Sequence, residues 1–196
     1  MEERIKKLEV YTLRLLNEVT TSKLYYHNAV HALDVYNGAY NYAKMEGVKA
    51  AFVEPLLAAA LLHDIGYLKQ YNNNEPIGAE MAANILPQYE FNGTEIELVE
   101  KLILATSFPQ HPKDKLEYII CDADLDILGT ERFFKRSMDL KKEIEENTGK
   151  KYTDIEWYKN QLELLQNHQY FTVSGRILRS EGEKINIEML KKLIRK

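Results

Sequence analysis

Two histidines four residues apart, His27 and His31, sit in the stretch YYHNAVHALDV, and Asp34 follows three residues after the second. The chain has only five histidines, so a pair at helical spacing places two imidazoles on one helix face. A second stretch, AALLHDIGY at residues 59–67, ends the most apolar run of the chain on an adjacent His63 and Asp64. An ionised carboxylate and an imidazole are costly to bury there without compensation. An Asp–His hydrogen bond is the simple remedy; a metal ion is the sharper one, because it supplies positive charge and fixes both side chains. A third stretch, YIICDADLDILG from Tyr118 to Gly129, alternates three acids with apolar residues. On a helix Asp122 and Asp126 share a face that points to solvent or backs the site, whereas Asp124 falls near the side of Ile120 and Ile127. An aspartate on an apolar side needs a partner, which makes Asp124 the best ligand candidate. With His31, the three stretches offer two imidazoles and two carboxylates. That mixed set suits a first-row divalent metal, or magnesium or manganese completed by water. It argues against a closed tetrahedral structural zinc.

These residues need elements to carry them, and the apolar spacing is helical throughout. Ile5, Leu8, Leu15, Leu16 and Val19 predict a first amphipathic helix, and residues 28–46 a second, closed by Gly47. VEPLLAAALLHDIGYL predicts a central helix with Pro55 in its first turn. Pro76 opens another, from Ile77 to Leu86. The capping-box patterns TEIE at 94–97 and TDIE at 153–156 start helices over about 95–106 and 154–167. Between them lie KLEYIICDADLDIL, closed by Gly129, and a charged helix over about 131–147; a basic amphipathic helix begins near 187. No β-hairpin signal, repeat or low-complexity run stands out. The fold class expected is all-α, with residues 1–196 as one domain: a motif-bearing core at about 20–130 and C-terminal helices at about 131–196. The charge-rich stretch from Gly129 to Tyr152 reads as a solvated helix face and a turn, whose lysines could also approach a phosphate-bearing ligand.

Composition narrows the function classes. At 196 residues, with 45% hydrophobic and 29% charged residues, the chain can bury a sizeable core. A net charge of -4 gives no general reason to bind nucleic acid or an anionic membrane. No run approaches the ~18 apolar residues of a membrane helix. Cys121 is the only cysteine and the N-terminal ten residues lack an apolar signal core, so a cytoplasmic setting is expected.

The order His, His-Asp, Asp on successive helices resembles the HD superfamily of metal-dependent phosphohydrolases, with His31, His63, Asp64 and Asp124 at the matching positions. AALLHDIG is the most specific segment. ILATSFPQHP followed by DADLDILG is similar to the later part of a bacterial branch of predicted phosphohydrolases. YHNAVHALDV resembles the signature of cyclic-nucleotide phosphodiesterases, in which the second histidine, His31 here, holds metal and the first, His27, donates a proton to the leaving oxygen. Ala123-Asp124-Leu125 matches the context of their last metal-binding aspartate. Those enzymes carry a further histidine soon after the His-Asp pair and a purine-clamping glutamine, neither of which is placed here.

The resemblance implies hydrolysis of a phosphate ester by water that a divalent ion activates, the ion being Mn, Mg, Fe, Ni, Co or Zn, with Asp64 able to bridge a second ion. It implies a small, nucleotide-like phosphorylated substrate, no nucleic acid and no membrane partner, and it is compatible with a homo-oligomer. His27, with an ordinary pKa of ~6.5, suits proton transfer near neutrality. Asp34 either orients an imidazole or is a surface acid. Glu75 and Glu80 are candidates to approach the water, His111 to touch substrate or a second metal from an exposed loop, and Tyr67, Tyr71 and Phe108 to wall the pocket. His168 reads as a dipole partner at a helix C-terminus. Two other functions compete. A di-iron oxygenase of the same fold would need extra histidines, of which only His111 is available, and a non-catalytic nucleotide-binding regulator would be expected to have lost its metal ligands.

Overall fold

The computed structural model describes residues 3–18 and 23–195, and among these the chain is all-α. The helices are α1 Glu3–Glu18, α2 Ala29–Met45, α3 Ala50–Leu62, α4 Asn74–Ile85, α5 Gly93–Ala105, α6 Lys115–Asp124, α7 Phe133–Thr148, α8 Asp154–Asn167 and α9 Val173–Ile194. Short 3-10 turns follow α3 (Ile65–Leu68), α4 (Leu86–Tyr89) and α6 (Asp126–Gly129). Ile5, Leu8 and Leu16 of α1 are buried as expected, whereas Val19 lies outside the described residues.

Helix α3 is the axis of the fold. Every residue from Pro55 to Leu62 is buried, which explains why its apolar residues show no one-sided pattern. α2, α5, α6 and α1 pack around it, and α4 covers α5 and the first 3-10 turn. Together with that turn, α3 forms a segment, Ala50–Leu68, apolar and long enough to cross a membrane by composition. This corrects the expectation that no run approaches the length of a membrane helix; two thirds of the segment is buried in this fold, as a core helix must be. A second cluster, built on Leu128, Phe133, Leu165 and Leu190, joins α7, α8 and α9 to the last 3-10 turn.

Several boundaries differ from the sequence reading. α3 begins at Ala50, so Pro55 lies beyond its first turn. α4 begins at Asn74, which places Pro76 inside the first turn. α5 is capped by Asn92 with Glu95, not by Thr94 with Glu97, because the Asn92 side chain reaches the Glu95 N–H while Glu95 answers to the Asn92 N–H. The predicted box at Thr153 and Glu156 is present. α6 stops at Asp124, so DADLDIL is a helix end followed by a tighter turn. α9 begins at Val173 rather than near 187. Its first half holds Gly182, which crosses Gly129 backbone to backbone: a Cβ there would lie 2.0 Å from the Gly129 carbonyl oxygen.

Candidate functional site

Each motif residue sits where a helix starts or stops. Asn28 caps α2, its side chain accepting from the N–H groups of Val30 and His31, and this sets His31 in the first turn facing inward. His63 is the residue that closes α3, and Asp64 follows it before the 3-10 turn. Gly66 lets that turn lie against α4, since a Cβ would fall 1.9 Å from the Asn74 carbonyl oxygen. Asp124 is the last residue of α6, beside the close contact of Ala123 with Gly38 of α2.

These ends bring four side chains together. His31 Nε2 lies 3.3 Å from His63 Nε2 and 3.1 Å from Asp124 Oδ1. Asp64 Oδ2 is 3.0 Å from His63 Nε2 and 3.4 Å from His31 Nε2. One donor atom from each of His31, His63 and Asp124 falls within 4.8 Å of the others, a spacing able to hold a metal ion, with Asp64 at its edge. The donor set fits a cation. His63 Nδ1 is 2.9 Å from the Ala60 carbonyl, the second partner that fixes an imidazole's orientation at a metal site and turns Nε2 toward the cluster. Asp64 Oδ2 is buried without a properly directed hydrogen bond. Burial works against a charged His63, yet Asp64 and Asp124 hold its pKa well above the ordinary value, so the cluster draws positive charge to this point. His31 is pushed down by burial. Burial opposes charge on both carboxyls, but the imidazoles outweigh it and keep Asp64 and Asp124 below the usual range.

His27 lies one turn outside this cluster. Its Nδ1 meets Glu143 Oε1 at short range, and Glu143 Oε2 accepts the N–H groups of Tyr26 at 2.7 Å and His27 at 3.1 Å. Tyr67 stacks on the His27 ring with centroids 4.2 Å apart, and Tyr71 backs Tyr67. Burial lowers the His27 pKa, but the charges of Asp64 and Glu143 more than offset it and the net shift is upward. Sequence reasoning missed Glu143 entirely. It lies on the helix read as a solvated face, yet it is fully buried, and Arg136 and Lys141 are mostly so. These three charges, on a helix with a polar sequence, gave no signal that one face was internal. Gln110, which donates from Nε2 to Asp124 Oδ2 at 2.9 Å, was also missed beside the more conspicuous His111.

Other candidates fall elsewhere. Asp34 does not orient an imidazole: it forms a two-pronged pair with Arg132. Asp122 is neither solvent-facing nor behind the cluster; it accepts the N–H groups of Phe171 and Thr172 and the Thr172 hydroxyl, seating the start of α9. Asp126 accepts from Tyr42 and from Arg179 Nε. Glu80, His111 and Phe108 are exposed, and Glu75 is half-buried, its charge bearing on the Tyr67 phenol. His168 follows α8 as expected, but its Nδ1 meets Glu183 of α9 at 2.6 Å. Two of the three lysines of α7 are spent elsewhere, Lys141 on Asp154 and Lys142 over the Tyr25 ring.

A cleft of about 200 Å³ opens beside His31 and Asp124 along α2, and Arg132, Arg136 and Arg179 stand in its wall. The cations that line this cleft are arginines.

The HD domain family model matches residues 28–126, which includes His31, His63, Asp64 and Asp124. No curated relative matches the chain by sequence. Solved structures share its fold, among them the following two. A predicted HD superfamily hydrolase from an uncultured Thermotogales bacterium aligns with a TM-score of 0.63 at 18% identity, over 94% of this chain and 90% of that one. Bacillus subtilis YpgQ, solved in complex with ADP, aligns with a TM-score of 0.72 at 16% identity, over 98% of this chain and 94% of that one.

Proposed function

The chain belongs to the HD domain family, and on that footing we propose that it is a metal-dependent hydrolase of small phosphate esters. The observation that carries this reading is the convergence of His31, His63, Asp64 and Asp124 around a buried carboxylate oxygen that lacks a directed hydrogen bond. These four residues would hold the ion, which supplies a Lewis acid for the phosphoryl oxygens and lowers the pKa of water. Gln110 steadies Asp124, and the Ala60 carbonyl steadies His63.

The remaining chemistry belongs to His27. Glu143 and Tyr67 fix its ring, and the Glu143 carboxylate against Nδ1 favours the protonated imidazole, as a donor to a leaving oxygen requires. This supports the role suggested by the likeness of YHNAVHALDV to cyclic-nucleotide phosphodiesterases. A nucleotide-like substrate is part of the proposal, supported by the ADP held by YpgQ. So are a single working domain, supported by the seating of α9 on Asp122 of the motif-bearing core, and a cytoplasmic setting, supported by the lone, buried and unpaired Cys121.

The test is a panel of phosphomonoesters, phosphodiesters and nucleotides assayed with Mn, Mg, Ni, Co and Fe(II), beside Asp64→Ala. Metal-dependent turnover lost in that variant is the expected result. Turnover that survives in Asp64→Ala overturns the metal assignment, and a metal-loaded wild type inert on every substrate favours a binding module instead.

A further inference from the structure

The arginine-walled cleft goes beyond what hydrolysis at the four-residue cluster requires. It runs from His31 along α2 past Asp34, Asn37 and Asn41, a direction away from His27. Three arginines face it, against two carboxylates, Asp34 and Asp126, that are not part of the metal-ligand set. Each carboxylate anchors one guanidinium: Asp34 grips Arg132, and Asp126 takes Arg179 Nε at 2.7 Å. Arg136 donates to the Tyr26 carbonyl at 2.6 Å and pairs with Asp139, outside the cleft, at 3.2 Å. Anchoring sets the guanidiniums in place without covering them, since Arg132 and Arg179 keep 48% and 31% of their side-chain surface accessible. Guanidiniums fixed in advance lose little freedom when they bind an oxyanion, and their forked donors match phosphate.

The cleft is also the wrong shape for a base. About 200 Å³ is below the ~300 Å³ at which sites for drug-sized ligands begin. Tyr26, the aromatic ring in its wall, has Arg136 over one side at 4.5 Å and the His31 ring 4.7 Å away, which leaves no open stacking face.

We propose that this cleft binds the second phosphate of a diphosphate-bearing substrate, so that the chain selects compounds with a diphosphate unit over monophosphates. The proposal rests on the phosphohydrolase reading for its biological use, but not for its test. Arg132, Arg136 and Arg179 all lie outside the family-matched segment, so the preference would belong to this chain and not to the shared motifs.

The test is calorimetric titration of the Mn-loaded protein with methylenediphosphonate, a non-hydrolysable diphosphate, and with orthophosphate, each anion pre-equilibrated with the same free Mn. Diphosphonate is expected to bind at least tenfold more tightly. In Arg132→Gln with Arg179→Gln that advantage should fall below about twofold, with helix content by circular dichroism as the check on folding. Should the double variant misfold, Arg132→Gln alone, at an accessible position, carries the test with an expected loss of threefold or more. Equal affinity for the two anions in the wild type, no binding of either, or an advantage retained in a folded variant overturns the proposal. Tight diphosphonate binding by a protein that hydrolyses no phosphate ester would remove the phosphohydrolase reading while leaving the subsite standing.

Discussion

Glu143 and His27 are joined at both ends, by a side-chain pair and by the backbone N–H groups of Tyr26 and His27. That double hold separates two jobs a buried carboxylate can do. Glu143→Gln preserves shape and an acceptor for the backbone but removes the charge that keeps the imidazole protonated. Turnover of alkyl phosphates should fall about 10- to 100-fold in this variant, while bound metal, measured by elemental analysis, stays at the wild-type level. His27→Ala should cost more, about 10²- to 10⁴-fold, on the same substrates. For nitrophenyl esters, whose leaving group needs no proton, both losses should be much smaller. Equal losses on both substrate types would remove His27 from the role of proton donor.

At the scale of elements, the crossing of α9 over the third 3-10 turn holds Arg179 at the cleft. Alanine normally beats glycine inside a helix by ~1 kcal/mol. Gly182→Ala should reverse that sign, because its Cβ has a backbone oxygen 2.0 Å away and the two elements must separate. Overpacking of this kind costs about 2 kcal/mol or more, a fall of roughly 4 °C or more in Tm for a chain of this size. Gly93→Ala, with nothing within 4 Å of the added carbon, is the control and should leave Tm unchanged or slightly raised. A second link, from Glu46 just past the end of α2 to the N–H and hydroxyl of Ser174, is sensitive to acid. Those hydrogen bonds hold the Glu46 carboxyl below its ordinary 4.5. A lowered folded-state pKa stabilises fully above the unfolded value and is lost as pH falls through the folded one. Glu46→Ala should therefore cost ~1 kcal/mol at pH 7, solvent screening included, and the gap to wild type should close below about pH 4 in denaturant titrations.

For the molecule as a whole, the proposed metal joins chain ends that are far apart in sequence: the start of α2, the end of α3 and the end of α6. An ion that binds only the folded state should stabilise the entire fold. At a free concentration of about 100 Kd the gain is ~2.7 kcal/mol, or roughly 5–10 °C in Tm. Differential scanning calorimetry with and without Mn should show this rise, and chelator should reverse it. A shift of the same size in Asp64→Ala would mean that the ion binds elsewhere.

The sequence by itself determined the helical class, most helix positions and the three stretches that carry His31, His63, Asp64 and Asp124, whose joining into one site was implied by the resemblance to the HD superfamily. These depend on local periodicity and on the cost of burying charge at the end of an apolar helix, both of which are written in short stretches. On an ideal helix Asp124 alone falls toward the apolar side, yet in the fold Asp122 is buried as well, under the start of α9. Tertiary structure decided what surrounds that cluster. Glu143 and Arg136 became internal, Asp34 turned to Arg132, Asp122 became the seat of α9, and Arg179 reached the cleft from 55 residues beyond Asp124. None of these follows from periodicity, because a polar residue is buried or exposed according to what packs opposite it. Here the partner comes from distant chain: α7 folds back on the start of α2, and α9 on the turn after α6.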